Sequence, residues 1–207
     1  MRSAIVLAAG KGTRMKSSLN KVMHPVSNKP MIGHIVTNLR KAGVDQIVVV
    51  VGHGAESVKS YLGDRVQYAL QEPQLGTGHA VMQAKCLKDV QGDTLVLNGD
   101  GPCIQSETIE AAFAANADSE MTVVTAVLPD GERYGRIVRD AAGNVDRIVE
   151  AKDCTKEQLE IREINTGIFC FKNQLLFENL QEIGNDNAQN EYYLTDLVEI
   201  FNRKGMR

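Results

Sequence analysis

The stretch of this 207-residue sequence best suited to chemistry lies near its start, in Leu7-Ala8-Ala9-Gly10-Lys11-Gly12-Thr13-Arg14-Met15. Small residues let a backbone approach a base and phosphates, and the amides of a glycine turn can donate hydrogen bonds to anionic oxygens. Two cations, Arg14 and Lys21, fall in the same region. A guanidinium grips two phosphate oxygens as a fork and an ammonium acts as a compact point charge, which suits a triphosphate whose leaving group gathers charge. Taken on charge alone, a solvated basic loop is the simpler reading.

Two common phosphate motifs do not fit. A dinucleotide fingerprint needs G-x-G-x-x-G, but Met15 takes the third glycine's place and Val51-Gly52-His53 ends the second strand without an acidic residue. A Walker A loop needs G-x-x-x-x-G-K-[ST], which Gly10-Lys11-Gly12-Thr13-Arg14 does not supply.

The elements that position the loop follow from periodicity. Apolar stretches of strand length alternate with helical segments, so an α/β fold is predicted, with a Rossmann-like, mostly parallel central sheet flanked by helices. Strands are expected at Ser3–Ala8, Ile47–Val51, Val66–Leu70, Thr94–Leu97, Met121–Val127 and Gly167–Phe171. The glycine loop then leaves the C-terminal end of the first strand, where ligands bind in open α/β sheets. Pro30 opens a helix at its first position and Gly43 closes it; further helices are expected at Ala55–Leu62, His79–Leu87, Glu107–Asn116, Gln174–Leu180 and Leu194–Lys204. Tyr134–Arg139 and Val145–Glu150 flank the turn Asp140-Ala141-Ala142-Gly143-Asn144 and predict an inserted β-hairpin.

With 43% hydrophobic residues the chain can bury one full core, and a net charge of −3 argues against a broad nucleic-acid footprint. Cys86, Cys103, Cys154 and Cys170 form no CxxC pair and read as reduced thiols. The apolar run Ala4–Ala9 is too short for a membrane span and makes a poor signal peptide, so a cytoplasmic protein is expected. His24, His34, His53 and His79 lack metal-ligand spacing and are read as structural.

Four further segments occur in order after the loop: Gln71 to Ala80 (QEPQLGTGHA), Tyr134-Gly135-Arg136-Ile137, Ile148 to Asp153 (IVEAKD) and Glu163-Ile164-Asn165-Thr166-Gly167; Asn187 to Asp196 (NAQNEYYLTD) completes the series. With the loop they resemble the nucleotidyltransferase (pyrophosphorylase) superfamily across the whole chain, and within it the bacterial uridylyltransferases that make UDP-N-acetylglucosamine. The resemblance implies transfer of UMP from UTP to N-acetylglucosamine 1-phosphate with Mg2+, and the fold of nucleotide-diphospho-sugar transferases. It implies that Leu7, Ala8, Ala9 and Gly10 hold the uridine and approach the phosphates, with Arg14 and Lys21 as catalytic cations. Gln71, Gly76 and Thr77 read the base; an amide both donates and accepts, as an imide face requires. Gly135, Glu150, Asn165 and Thr166 line the sugar site. Asp100 holds the metal, since one carboxylate beside substrate phosphates is a sufficient anchor for Mg2+.

The sequence departs from the family pattern at Asn20, where a proline usually precedes the lysine, at Asn98, where an aromatic often precedes Gly-Asp, and at Gly101 and Cys103. In the family the domain continues past Arg207 to an asparagine metal ligand and then to a left-handed β-helix, an acetyltransferase domain that forms trimers. The chain is expected to be a truncated nucleotidyltransferase domain spanning 1–207, capable of nucleotidyl transfer but not acetyl transfer. Two alternatives remain open: a pyrophosphorylase for another pair, such as dTTP with glucose 1-phosphate, and a catalytically weak UDP-sugar-binding fragment.

Overall fold

Ala4, Ile5 and Val6 have no solvent exposure, so the strand that holds them is covered on both faces, as the interior of a helix-flanked sheet requires. The computed structural model describes residues 1–10, 12, 15–17 and 19–206. Its strands are β1 (Arg2–Ala8), β2 (Pro25–Val26), β3 (Lys29–Pro30), β4 (Gln46–Val51), β5 (Gln67–Leu70), β6 (Asp93–Asn98), β7 (Met121–Val127), β8 (Arg136–Arg139), β9 (Val145–Val149) and β10 (Glu163–Lys172). The helices are α1 (Met31–Lys41), α2 (Ala55–Leu62), α3 (Thr77–Met82), α4 (Ser106–Ala115), α5 (Lys156–Leu159), α6 (Asn173–Asn179) and α7 (Asp196–Arg203).

The main sheet runs β5-β4-β1-β6-β10-β8-β9, with β7 also on β10. The four strands β5, β4, β1 and β6 pair in parallel, and the pairings of β10, β8, β9 and β7 are antiparallel. One core packs under Ile32, Ile35 and Leu39 of α1, Val58 of α2 and Ile109 of α4. The other packs under Val81 of α3, Leu176 of α6, and Leu197 and Phe201 of α7. The expected α/β fold, a central sheet flanked by helices with an inserted β-hairpin at β8–β9, is therefore the observed one.

Register in β10 opens a gap in the sheet. Phe169 and Phe171 face β6 on one edge and β7 on the other, while Ile164 faces Ala126 of β7 and Arg136 of β8. Hence β6 and β8 share one edge of β10, end to start, and the gap between them falls at Asn165–Gly167. The β10–β7 register also shifts between Asn165 and Ile168. This explains one difference from the sequence reading: Asn-Thr-Gly signals a turn and so predicts a strand beginning at Gly167, but these residues form a bulge inside a longer strand.

Other differences are local. Pro30 stands at the N-cap of α1 rather than in its first turn. The helix expected over His79–Leu87 begins earlier, at Thr77, and ends at Met82, with a separate 3-10 turn over Lys85–Leu87. The β2–β3 ribbon and α5 have no counterpart among the expected elements, being too short to show a period.

Candidate active site

A cavity of about 510 Å3 opens at the C-terminal ends of β1 and β6. It is lined by Leu7, Ala8, Ala9, Gly10, Lys21, Gln71, Gly76, Thr77 and Asp100, nine of the residues singled out from the sequence. Arg14, the other expected cation, lies outside the described residues. Lys21 Nζ pairs with Asp100 Oδ2, and the two side chains are 39% and 33% exposed, so an entering anion can reach the ammonium and a cation the carboxylate.

Lys21 is aimed by its neighbours. It begins a 3-10 turn, Lys21–Met23, capped by Asn20, whose Oδ1 accepts from Val22 N at 3.1 Å. The Asn20 Nδ2 donates to His53 O at 2.6 Å, fastening the turn to the segment after β4. Asn20 is 4% exposed, and a proline there could make neither side-chain bond. On the other side Gly12, at φ +59°, passes so close that a Cβ would lie 2.7 Å from Lys21 Cβ.

Gln71 is 4% exposed, and its Nε2 donates to Gly76 O at 2.9 Å and lies 3.1 Å from His79 Nδ1. The donor half of the amide is thus engaged within the protein, and Oε1 is the half left for a ligand. His79, read as structural, orients that amide. The Gly76 turn is glycine by necessity: φ is +107°, and a Cβ would lie 2.6 Å from Tyr192 O. The Asn187–Asp196 segment braces it, with Tyr192 N donating to Leu75 O at 2.8 Å, Gly78 N to Tyr192 O at 2.8 Å and Leu194 N to Thr77 Oγ1 at 3.0 Å. Gln74, which also lines the cavity, donates to Ala9 O at 2.5 Å.

A second cavity of about 350 Å3 occupies the gap between β6 and β8. It gathers Gly135, Glu150, Asn165 and Thr166 with Arg133, Tyr134 and Thr195. Leu7, Thr77 and Asn98 line both cavities, so the two adjoin across a shared wall. Asn98, noted in the sequence only as a departure, is an unforeseen member of that wall. Its amide lies against Gly167, where a Cβ would sit 2.5 Å from Nδ2.

A carboxylate at a strand end is usually solvated, but Glu150 is largely buried, with Oε1 3.4 Å from where a Gly135 Cβ would stand. Burial raises its pKa, and the nearby charges of Asp153, Asp196 and Glu191 push the same way. The Thr195 hydroxyl opposes them. That hydroxyl is buried and closes no hydrogen bond of ordinary geometry among the described residues. Asn165 Oδ1 accepts from Gly167 N at 2.9 Å, which leaves its NH2 group to a ligand, and Thr166 Oγ1 donates to Val124 O at 2.6 Å, which leaves it as an acceptor.

Among the described residues no three His, Cys, Asp or Glu side chains converge as a metal cage. Asp100 and Glu191 line the first cavity and offer hard oxygens, a partial donor set of the kind Mg2+ completes with phosphates and water. No helix among the described residues is long and apolar enough to cross a membrane.

Residues 3–207 match the nucleotidyl transferase family. Bifunctional protein GlmU of Latilactobacillus sakei is 53% identical over 207 residues, which span 99% of this chain and 45% of that protein. Its counterpart in Levilactobacillus brevis is 54% identical with the same coverage of each. The chain thus spans under half the length of these curated relatives. A UDP-glucose pyrophosphorylase solved with UDP-glucose superposes with a TM-score of 0.83 at 19% identity, over 100% of this chain and 89% of that one. A putative glucose-1-phosphate thymidylyltransferase from Bacillus anthracis gives 0.82 at 22%, over 100% and 85%. At such identities these two establish the fold.

Proposed function

The chain belongs to the nucleotidyl transferase family, and we propose that it transfers UMP from UTP to N-acetylglucosamine 1-phosphate, forming UDP-N-acetylglucosamine and pyrophosphate. One observation carries the reading: a cavity edged by Lys21 and Asp100 adjoins a second one built around Glu150 and Asn165, with Leu7, Thr77 and Asn98 common to both. Two substrates held in adjoining cavities can meet at the shared wall, and this proximity replaces much of the entropic barrier.

In the proposed step an oxygen of the sugar phosphate attacks the α-phosphorus, the bond to the bridging oxygen breaks, and pyrophosphate leaves with the electron pair. The acceptor phosphate is anionic at neutral pH, so no strong base is required and charge neutralisation with alignment dominates. Lys21 supplies a cation at the first cavity. Asp100 would hold a magnesium ion, which when bound neutralises charge on the triphosphate. Gln71 offers Oε1 to the imide N–H of uracil, a proton that cytosine lacks at that position, so the fixed amide favours UTP over CTP. In the second cavity the Glu150 carboxylate and the Asn165 NH2 group are available to sugar hydroxyls and the N-acetyl oxygen. The four free thiols fit a reducing compartment, and the cytoplasm is the proposed location.

The test is pyrophosphate release with Mg2+ across a panel of nucleoside triphosphates and sugar 1-phosphates. UTP with N-acetylglucosamine 1-phosphate is expected to be the best pair. A higher kcat/KM for dTTP with glucose 1-phosphate would replace the reading, and release from no pair would leave a binding module.

A further inference from the structure

Building on the reaction proposed above, we propose that Arg133 receives the phosphate group of the incoming sugar 1-phosphate, as an acceptor-binding residue of the second cavity. A sugar monophosphate must bring its negative charge into surroundings that already carry several. Glu150 lines the cavity, and Asp153, Glu191 and Asp196 lie near enough for their charges to act on it. Entry therefore needs a local cation. Among the described residues Arg133 is the cation lining this cavity.

Its guanidinium is exposed, and it makes no hydrogen bond, ion pair or ring contact among the described residues. The backbone that carries it is fastened on both sides. Asp130 Oδ1 accepts from Glu132 N at 2.9 Å, and Tyr134 N donates to Gly131 O at 3.1 Å. Beneath them lies Arg136, 2% exposed, whose Nη1 donates to Gly131 O at 2.9 Å and to Tyr134 O, and whose Nη2 donates to Glu132 O at 3.3 Å. One guanidinium thus serves as a buried clamp, and the other, three residues earlier, is presented uncommitted.

Strand order puts that uncommitted fork in a useful place. Arg133 precedes β8, which begins opposite Ile164, across the gap from Asn98 at the end of β6. A planar guanidinium matches phosphate oxygens two at a time, a geometry an ammonium cannot reproduce. Lys21 stands in the other cavity, so the positive charge of Arg133 acts on the acceptor rather than on the donor.

The test compares Arg133→Gln and Arg133→Lys with the wild-type chain in two measurements. In steady-state pyrophosphate release, Arg133→Gln is expected to raise the KM for N-acetylglucosamine 1-phosphate about tenfold while the KM for UTP stays within about twofold, and Arg133→Lys to fall between. In calorimetric titrations, which need no turnover, the wild-type chain should bind N-acetylglucosamine 1-phosphate more tightly than N-acetylglucosamine, and Arg133→Gln should cut that preference about tenfold. An acceptor KM unmoved by Arg133→Gln overturns the proposal, as does an undiminished preference for the phosphorylated sugar or a wild-type chain that shows none. A wild-type chain that shows the Arg133-dependent preference yet releases no pyrophosphate supports the assignment of Arg133 and removes the proposed reaction instead.

Discussion

The first cavity is made where parallel strands end, from residues that follow β1 together with the Gln71–Ala80 segment, Asn98, Asp100 and Glu191; the second is made where antiparallel strands part, around the start of β8 and the Asn165–Gly167 bulge. Their electrostatics differ as well. Lys21 and Asp100 form an open ion pair that a ligand can divide between its phosphates and a metal, whereas Glu150 is a largely buried carboxylate whose neighbours resist its charge. The contrast separates two tasks. In the proposed reaction the first cavity neutralises charge that gathers on the departing pyrophosphate, and the second recognises the sugar and holds the acceptor phosphate.

If that division holds, substitutions in the two cavities should affect different kinetic constants. Lys21→Ala is expected to have the largest effect, a fall in kcat of about 100-fold from loss of a preorganised charge, with the KM for the sugar phosphate little altered. Steady-state kinetics check it, and an unchanged kcat would remove Lys21 from the chemistry. Glu150→Gln should act on the other constant, raising the acceptor KM about tenfold while the KM for UTP is preserved. A change confined to kcat would contradict a recognition role. Asn20→Ala should lower kcat several-fold by loosening the turn that aims Lys21, and cost about 1 kcal/mol in urea unfolding through the lost cap. Lost stability with kcat unaltered would show that Asn20 supports the fold but not the lysine.

A last prediction concerns stability at the acidic side of the second cavity. Burial, with Glu199 and Asp153 nearby, pushes the Asp196 carboxyl up from 3.8 to about 6. Between about pH 4 and 6 the native state therefore binds more protons than the unfolded chain, so this group's contribution to stability falls as pH rises through that window. Asp196→Asn, which cannot ionise, should raise the melting temperature relative to wild type at pH 7, by an amount that shrinks and vanishes as pH is lowered past about 4. A difference independent of pH would point to packing at the start of α7 instead.

Much of the fold is legible in the sequence because burial imposes a period on each element. Ala55–Leu62 and Met121–Val127 are the observed bounds of α2 and β7. The errors arise where a local signal and a long-range one compete: Asn165-Thr166-Gly167 has turn chemistry but is held as a strand bulge by β7, and α3 is set by the bond between Leu194 N and Thr77 Oγ1, 117 residues apart in sequence. In the first cavity the Gln71 amide is expected to be both donor and acceptor, and the structure engages the donor with Gly76 and His79. Asn20 and Asn98 stand out in the sequence only as oddities, because a capping bond to His53 O and a wall shared by two cavities have no sequence signature.

By itself the sequence determined the glycine turns, the strand and helix periods and the cations near the first strand, since each depends on neighbours within a few residues and on backbone angles that glycine permits. Tertiary structure alone decided that β6 and β8 share an edge of β10 and leave a gap there, that Glu150 lines it and is largely shielded from solvent, and that Arg136 is clamped while Arg133 is not. Those outcomes depend on strand order and register, which are set by the packing of distant segments and which no local pattern of residues encodes.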